Sequence, residues 1–277
     1  MGKHSMNELK KINQSIIIKL LLLVIVPWII LAIVFGFTDL EISKNIVNRD
    51  SEWASFMYIY DEGPAWGLIA TSLVVFIGSR VEDMAKQKIS AHVAILIGAI
   101  IFIIALVTNN TWLVNLGGGI TFGVLVFLIF THDKNWREYN TIAKVFVILA
   151  IVNPLLFVQI TKLLCGRIRF NNLGQGYSNY TPWFLPPGPN GIQSYSFPSG
   201  HTANGWMWLP VLILLRNRKW KDPSRILITV LVLLWGFLVG LSTIIVGAHF
   251  ASDVLFSSGV AGVSVILLYK KYYFEKK

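Results

Sequence analysis

Three sets of polar side chains in an otherwise apolar chain have the types and spacing to handle an anion: Lys162 with Arg169, Ser199-Gly200-His201 within "FPSGH", and His249 with Asp253. On a continuous helix Lys162 and Arg169 would lie about two turns apart and face a common anion from one side. A helix opening at Ser199 offers free N–H groups and a favourable dipole, and Gly200 lets a phosphate oxygen approach the backbone. His249 and Asp253 share a helix face at i and i+4, so the carboxylate can select one imidazole tautomer and stabilise charge on the ring. An oriented imidazole is a nucleophile or a base. His201 then supplies a second imidazole that can protonate a leaving oxygen, and two histidines in opposed roles suffice for stepwise phosphoryl transfer without a metal. No competing carboxylate cluster stands out as a metal site, so neither metal nor cofactor is expected.

Each set also has a plainer reading. Ser199 can simply cap a helix and His201 complete its first turn. His249 and Asp253 can be a structural hydrogen-bonded pair, and Lys162, Arg167 and Arg169 can anchor a span at lipid headgroups. The site reading gains from the three sets meeting one membrane boundary, where polar groups are costly unless they pair or work.

The elements that must carry these residues follow from composition. Of 277 residues, 55% are hydrophobic and 14% charged, which describes an integral membrane protein. Eight apolar runs approach the roughly 20 residues needed to cross a bilayer. They cover residues 16–37, 64–79, 91–108, 112–130, 141–161, 202–216, 226–245 and 253–270, and predict an all-α polytopic bundle. The second and sixth are short, which suits entry from a protein-lined cavity. The first is too long for a secretory leader and lacks an obvious cleavage site, so it reads as a span.

All but five of the 24 Lys and Arg residues fall on one side if both termini are cytoplasmic. The exceptions are Lys44, Arg49, Lys162, Arg167 and Arg169, so the candidate site faces outward, in a multi-pass protein of the cell membrane. This bias accounts for the net charge of +10 without a nucleic-acid partner; the expected partner is the lipid bilayer. The sole cysteine, Cys165, reads as a small buried residue and excludes an intramolecular disulfide.

No linker divides the chain, so residues 1–277 read as one membrane domain. Thr38–Gly63 suits an amphipathic helix at headgroup level. Residues 166–201 form a turn-rich outer loop whose Tyr177, Tyr180, Trp183 and Phe184 read either as interfacial anchors or as a rim gating lipid entry. Gly117–Gly119 lacks the strand and Gly-Lys-Ser/Thr of a nucleotide loop and reads as close helix packing.

At these residues the chain resembles the type 2 phosphatidic acid phosphatase superfamily, related to bacterial acid phosphatases and vanadium haloperoxidases. That family carries Lys, six residues, Arg-Pro; then Pro-Ser-Gly-His; then Ser-Arg, five residues, His, three residues, Asp. Here the elements read "KLLCGRIRF", "PSGH" and "STIIVGAHFASD". The resemblance covers residues 140–270 as a catalytic core and leaves 1–139 as accessory spans. It implies that His249 attacks phosphorus, that Asp253 orients it, and that His201 protonates the leaving group. Lys162, Arg169, Ser199 and the Gly200 amide would hold phosphate oxygens.

Two positions depart from the pattern: Phe170 replaces Pro, and Thr243 stands where the family has Arg in the phosphate shell. Arg167 is the nearby candidate to replace that cation. The implied function is metal-independent hydrolysis of a membrane lipid monoester or diphosphate through phosphohistidine. A lipid phosphotransferase and a catalytically impaired lipid-phosphate binder or carrier are the alternatives, and the sequence leaves lipid identity and oligomeric state open.

Overall fold

A computed structural model describes residues 3–189 and 195–274, with side chains from residue 14 onward, and every regular element among the described residues is helical. Among the described residues, six helical stretches are long and apolar enough to cross a membrane: Gln14–Ile46, Lys86–Thr108, Thr111–Thr131, Trp136–Asn172, Pro223–Ile245 and Ala251–Phe274. The expected count of eight is not confirmed among the described residues, since residues 64–79 and 202–216 fall in shorter helical elements.

The helices run α1 (Lys3–Ile46), α2 (Glu52–Tyr60), α3 (Glu62–Gly78), α4 (Ile89–Thr108) and α5 (Thr111–Thr131). α6 (Asn140–Ala150) widens into a π-helical segment (Ile151–Phe157) around Pro154 and continues as α7 (Val158–Cys165). A proline lacks the N–H for the ordinary ladder, and a π turn accommodates it inside a continuing helix. α8 (Gly200–Gly205), a 3-10 turn (Trp206–Trp208) and α9 (Val211–Leu214) replace the expected sixth span. Pro210 gives no donor to continue the ladder, and the Trp206 indole wedges against Gly236 while donating to Ser258 Oγ at 2.7 Å. α10 (Pro223–Ile245) starts on an Asp222 cap that accepts from Ser224 N–H, and α11 (Ala251–Tyr269) follows a five-residue turn.

α1 packs on α11, α2 on α10, and α3 on both α5 and α6. α1 is longer than the predicted 16–37 span, and the segment expected as one interfacial helix divides into the end of α1, α2 and the start of α3. α2 is held down: Ala54 is buried with Val246 and Ala248, and Asn48 N–H donates to Ile245 C=O at 2.8 Å. The Gly117–Gly119 run is helix packing, as expected. A methyl group on Gly119 would collide with the Gly63 carbonyl of α3, and one on Gly117 with the Phe102 backbone of α4. Between helices in lipid, such close approach supplies the packing that water-driven burial cannot.

The loop of residues 166–201 is docked on the bundle, though residues 190–194 of it lie outside the described residues. Trp183 donates to Ala32 C=O at 2.8 Å and meets Phe256 at 4.6 Å, while Phe184 lies against Gly36 and Phe37. The four aromatics split: Trp183 and Phe184 bind the loop to α1 and α11, Tyr180 meets Phe250 at 5.5 Å, and Tyr177 stacks on Phe170 at 5.6 Å. Cys165, expected buried, is half-exposed at the end of α7.

Candidate active site

Lys162 sits on the last turn of α7, but the helix does not persist to Arg169. Gly166 takes a left-handed φ of 59°, and its N–H closes the helix on Lys162 C=O at 3.2 Å. The seven-residue spacing therefore works through a helix stop and an extended segment rather than through two helical turns. Asn171 secures that segment to the turn bearing His249: its N–H donates to Gly247 C=O at 3.1 Å and its Nδ2 to Val246 C=O at 2.6 Å. Lys162, Arg169, Gly200 and His201 thereby line one cavity of about 560 Å³. A Cβ built on Gly200 would stand 3.4 Å from Lys162 Nζ, so the glycine leaves its backbone open toward the ammonium group. Arg169 Nη1 lies 3.5 Å from Tyr58 Oη.

Ser199 is the N-cap of α8, with its hydroxyl accepting from Thr202 N–H at 3.2 Å and Thr202 O–H at 2.9 Å, which leaves its own proton to donate. Its N–H donates to Asp253 C=O at 3.1 Å and its C=O accepts from Ser257 O–H at 2.7 Å. These bonds join the start of α8 to the start of α11. α8 is only six residues long, so the dipole expected from a full span is reduced to local N–H groups.

His249 lies in the turn between α10 and α11, wholly buried. Its N–H and that of Ala248 both donate to Thr243 C=O, at 3.1 and 3.0 Å. Nδ1 is 3.5 Å from Asp253 Oδ2, and neither ring nitrogen makes a hydrogen bond within the described residues. Burial pushes this imidazole down to about 4, against the opposing pull of Asp253, so it is neutral at pH 7 with a lone pair available. Buried ring nitrogens without partners are rare in folded proteins, and a ligand is one of the ordinary reasons for them.

His201 faces the His249 ring at 6.2 Å between centroids. Its Nδ1 meets Asp61 Oδ1 at 2.9 Å, and its ring packs on Tyr58 at 4.4 Å. Burial raises the Asp61 carboxyl above its ordinary range, and the adjacent His201 opposes that rise.

Two predicted phosphate contacts are placed otherwise. Arg167 does not stand in for the missing cation. It is 1% exposed, with Nη1 donating to Asp253 Oδ1 at 2.6 Å and to Ser252 Oγ at 2.8 Å, Nη2 to Asp39 Oδ2 at 2.9 Å, and Nε to Thr181 C=O at 3.0 Å. Two buried carboxylates hold it, and it stacks on the Phe250 ring at 4.0 Å. Thr243 is buried with its hydroxyl donating to Gly240 C=O at 2.7 Å, so this residue shapes the His249 turn through its carbonyl. Asp253 is fully engaged, since Oδ2 also accepts from Ser196 O–H at 2.5 Å and Phe250 N–H at 2.8 Å.

Asp39 and Asp61 were missed in the sequence. Both stand at the ends of apolar runs, and the cost of a carboxylate at a membrane boundary was the available signal. Among the described residues, no group of three or more His, Cys, Asp or Glu is gathered where it could hold a metal.

Bundle and cavity together define a polytopic helical membrane protein that collects two cations, an imidazole and the Glu62 carboxylate around one largely apolar space. Residues 143–277 match the PAP2 superfamily, and this part of the chain is a PAP2 superfamily domain. The chain is 33% identical over 97 residues to phosphatidylglycerophosphatase B of Haemophilus influenzae. That alignment covers 33% of this chain and 39% of the relative's length. No solved structure matches the chain significantly.

Proposed function

We propose that this protein is a membrane lipid phosphatase that cleaves a lipid phosphate at the outer membrane face through a phosphohistidine. The observation carrying the proposal is the two-ended cavity. Lys162, Arg169, Gly200 and His201 supply its polar lining together with Glu62, Gln159 and Asn204, while Ile69, Leu73, Val147, Ile151 and Leu155 are among its apolar lining. A phosphate bearing a hydrocarbon tail matches both ends, with the tail between α3 and α6. The similarity to a protein named phosphatidylglycerophosphatase B supports a lipid substrate, and the Lys/Arg bias supports the outward orientation.

In the proposed reaction, His249 Nε2 attacks phosphorus while Asp253 receives the developing charge at Nδ1. The bond to the leaving oxygen breaks as His201 Nε2 delivers its proton. Water then attacks the phosphohistidine, giving its proton to His201 and releasing phosphate and free His249. Lys162 and Arg169 hold the non-bridging oxygens, assisted by the Ser199 hydroxyl and the Gly200 amide. Residues 140–270 form the catalytic core and 1–139 the accessory spans.

The test is phosphate release in detergent micelles from phosphatidate, phosphatidylglycerol phosphate, a polyprenyl diphosphate and a lipid A phosphate, with chelator present. Wild type should release phosphate from at least one, and His249→Ala should abolish both release and any acid-labile phosphoprotein. Full activity in that variant removes His249 as nucleophile. Lipid binding without release in wild type would replace the hydrolase by a binder.

A further inference from the structure

The candidate acid, His201, has a carboxylate partner that lies outside the matched domain. Asp61 stands between α2 and α3, 1% exposed, with Oδ1 at 2.9 Å from His201 Nδ1. Its Oδ2 has no hydrogen-bond partner within the described residues, so His201 is the side chain that answers this buried charge. The arrangement parallels the pairing of His249 with Asp253, but its two members are 140 residues apart and come from different parts of the bundle.

The other groups around His201 do not offer the same contact. Glu62 Oε1 is 3.9 Å from Nδ1, beyond a hydrogen bond, and Tyr58 meets the ring by its face. Lys162 and Arg169 share the cavity and His249 is 6.2 Å away by ring centroids, so every remaining neighbour is cationic or neutral. With Nδ1 committed to Asp61, the other nitrogen, Nε2, is the one left for a leaving oxygen. A carboxylate at that distance fixes the ring orientation while leaving Nε2 free to face the leaving oxygen.

We infer that Asp61 is a positioning residue for catalysis: it holds His201 by Nδ1 so that Nε2 is presented as the proton donor, and the amino-terminal helices thereby complete the active site. This rests on the hydrolase reading given above. Its signature is selectivity for the leaving group. Where the leaving oxygen is a poor leaving group, proton delivery limits the rate; where it is an activated aryl oxygen, little proton is needed.

Asp61→Asn keeps an acceptor in place and removes the charge. On a lipid monoester the variant should lose about tenfold to hundredfold in kcat, a part of the 10²–10⁴ that general acid catalysis supplies. On p-nitrophenyl phosphate it should lose less than about twofold. In a His201→Gln background, Asp61→Asn should add no further leaving-group selectivity.

Equal losses on both substrates, or full additivity with His201→Gln, would overturn the inference while wild-type phosphate release left the hydrolase reading standing. A second measurement needs no folded Asp61 variant. Histidine ¹⁵N shifts of the wild type, with the His201 signal assigned by its absence in His201→Gln, should report Nδ1 protonated at pH 8; protonation at Nε2 alone would refute the pairing.

Discussion

Replacing Arg167 by Met is the sharpest test of how the bundle supports its site. The side chain donates at 2.6 to 3.0 Å to Asp253, Ser252, Asp39 and a backbone carbonyl, and both carboxylates it joins are fully buried. Methionine retains most of the apolar stem and removes all four donors, leaving two carboxylates without their counter-ion. Breaking a buried pair on one side costs about 3–5 kcal/mol. For a chain of this size that corresponds to a fall of about 6–20 °C in Tm.

Asp39→Asn alone leaves Arg167 paired with Asp253, so its cost should be about 1–3 kcal/mol, the value of a lost charged hydrogen bond. The double variant keeps only one uncompensated carboxylate, and its loss should fall short of the sum by about 1–3 kcal/mol. Thermal unfolding in detergent, followed by fluorescence of the 10 tryptophans, measures all three. A change below about 1 kcal/mol for Arg167→Met, or strict additivity, would mean that the pairs contribute little and that Arg167 is free for other work.

Protonation of His249 should be visible in stability. The native ring takes its proton only at about 4, whereas the unfolded chain takes it at about 6.5, so the unfolded state binds more protons between these values. Stability should therefore drop as pH falls from about 6.5 toward 4, and His249→Asn should flatten that slope in a Tm-versus-pH series; an unchanged slope assigns the effect elsewhere. Thr243→Arg restores the family residue but drives a guanidinium into a site with no exposure and an internally bonded hydroxyl. It should lower stability by about 3 kcal/mol or more and reduce phosphate release, and a faster variant would mean that a missing cation limits the reaction.

The membrane bundle was legible in the sequence because hydrocarbon imposes a one-dimensional rule: a helix must be long and apolar to satisfy its backbone inside the bilayer. The three motifs were legible because their chemistry lies in side chains close together in the chain. Lys162, Gly200 and His201 do meet in one cavity, and His249 does stand beside Asp253. The interruption of the sixth span was less legible, since Trp206 and Pro210 act there through contacts with α10 and α11 as much as through local propensity.

Tertiary structure alone decided which charge answers which. Arg167 and Arg169 are two residues apart and look equivalent in the sequence, yet one is locked between Asp39 and Asp253 while the other faces the cavity. Asp39 is 128 positions from Arg167, and Asp61 is 140 from His201. Pairings over such separations depend on how α1 packs on α11 and α2 on α10, and a buried carboxylate acquires its partner only when those helices close around it.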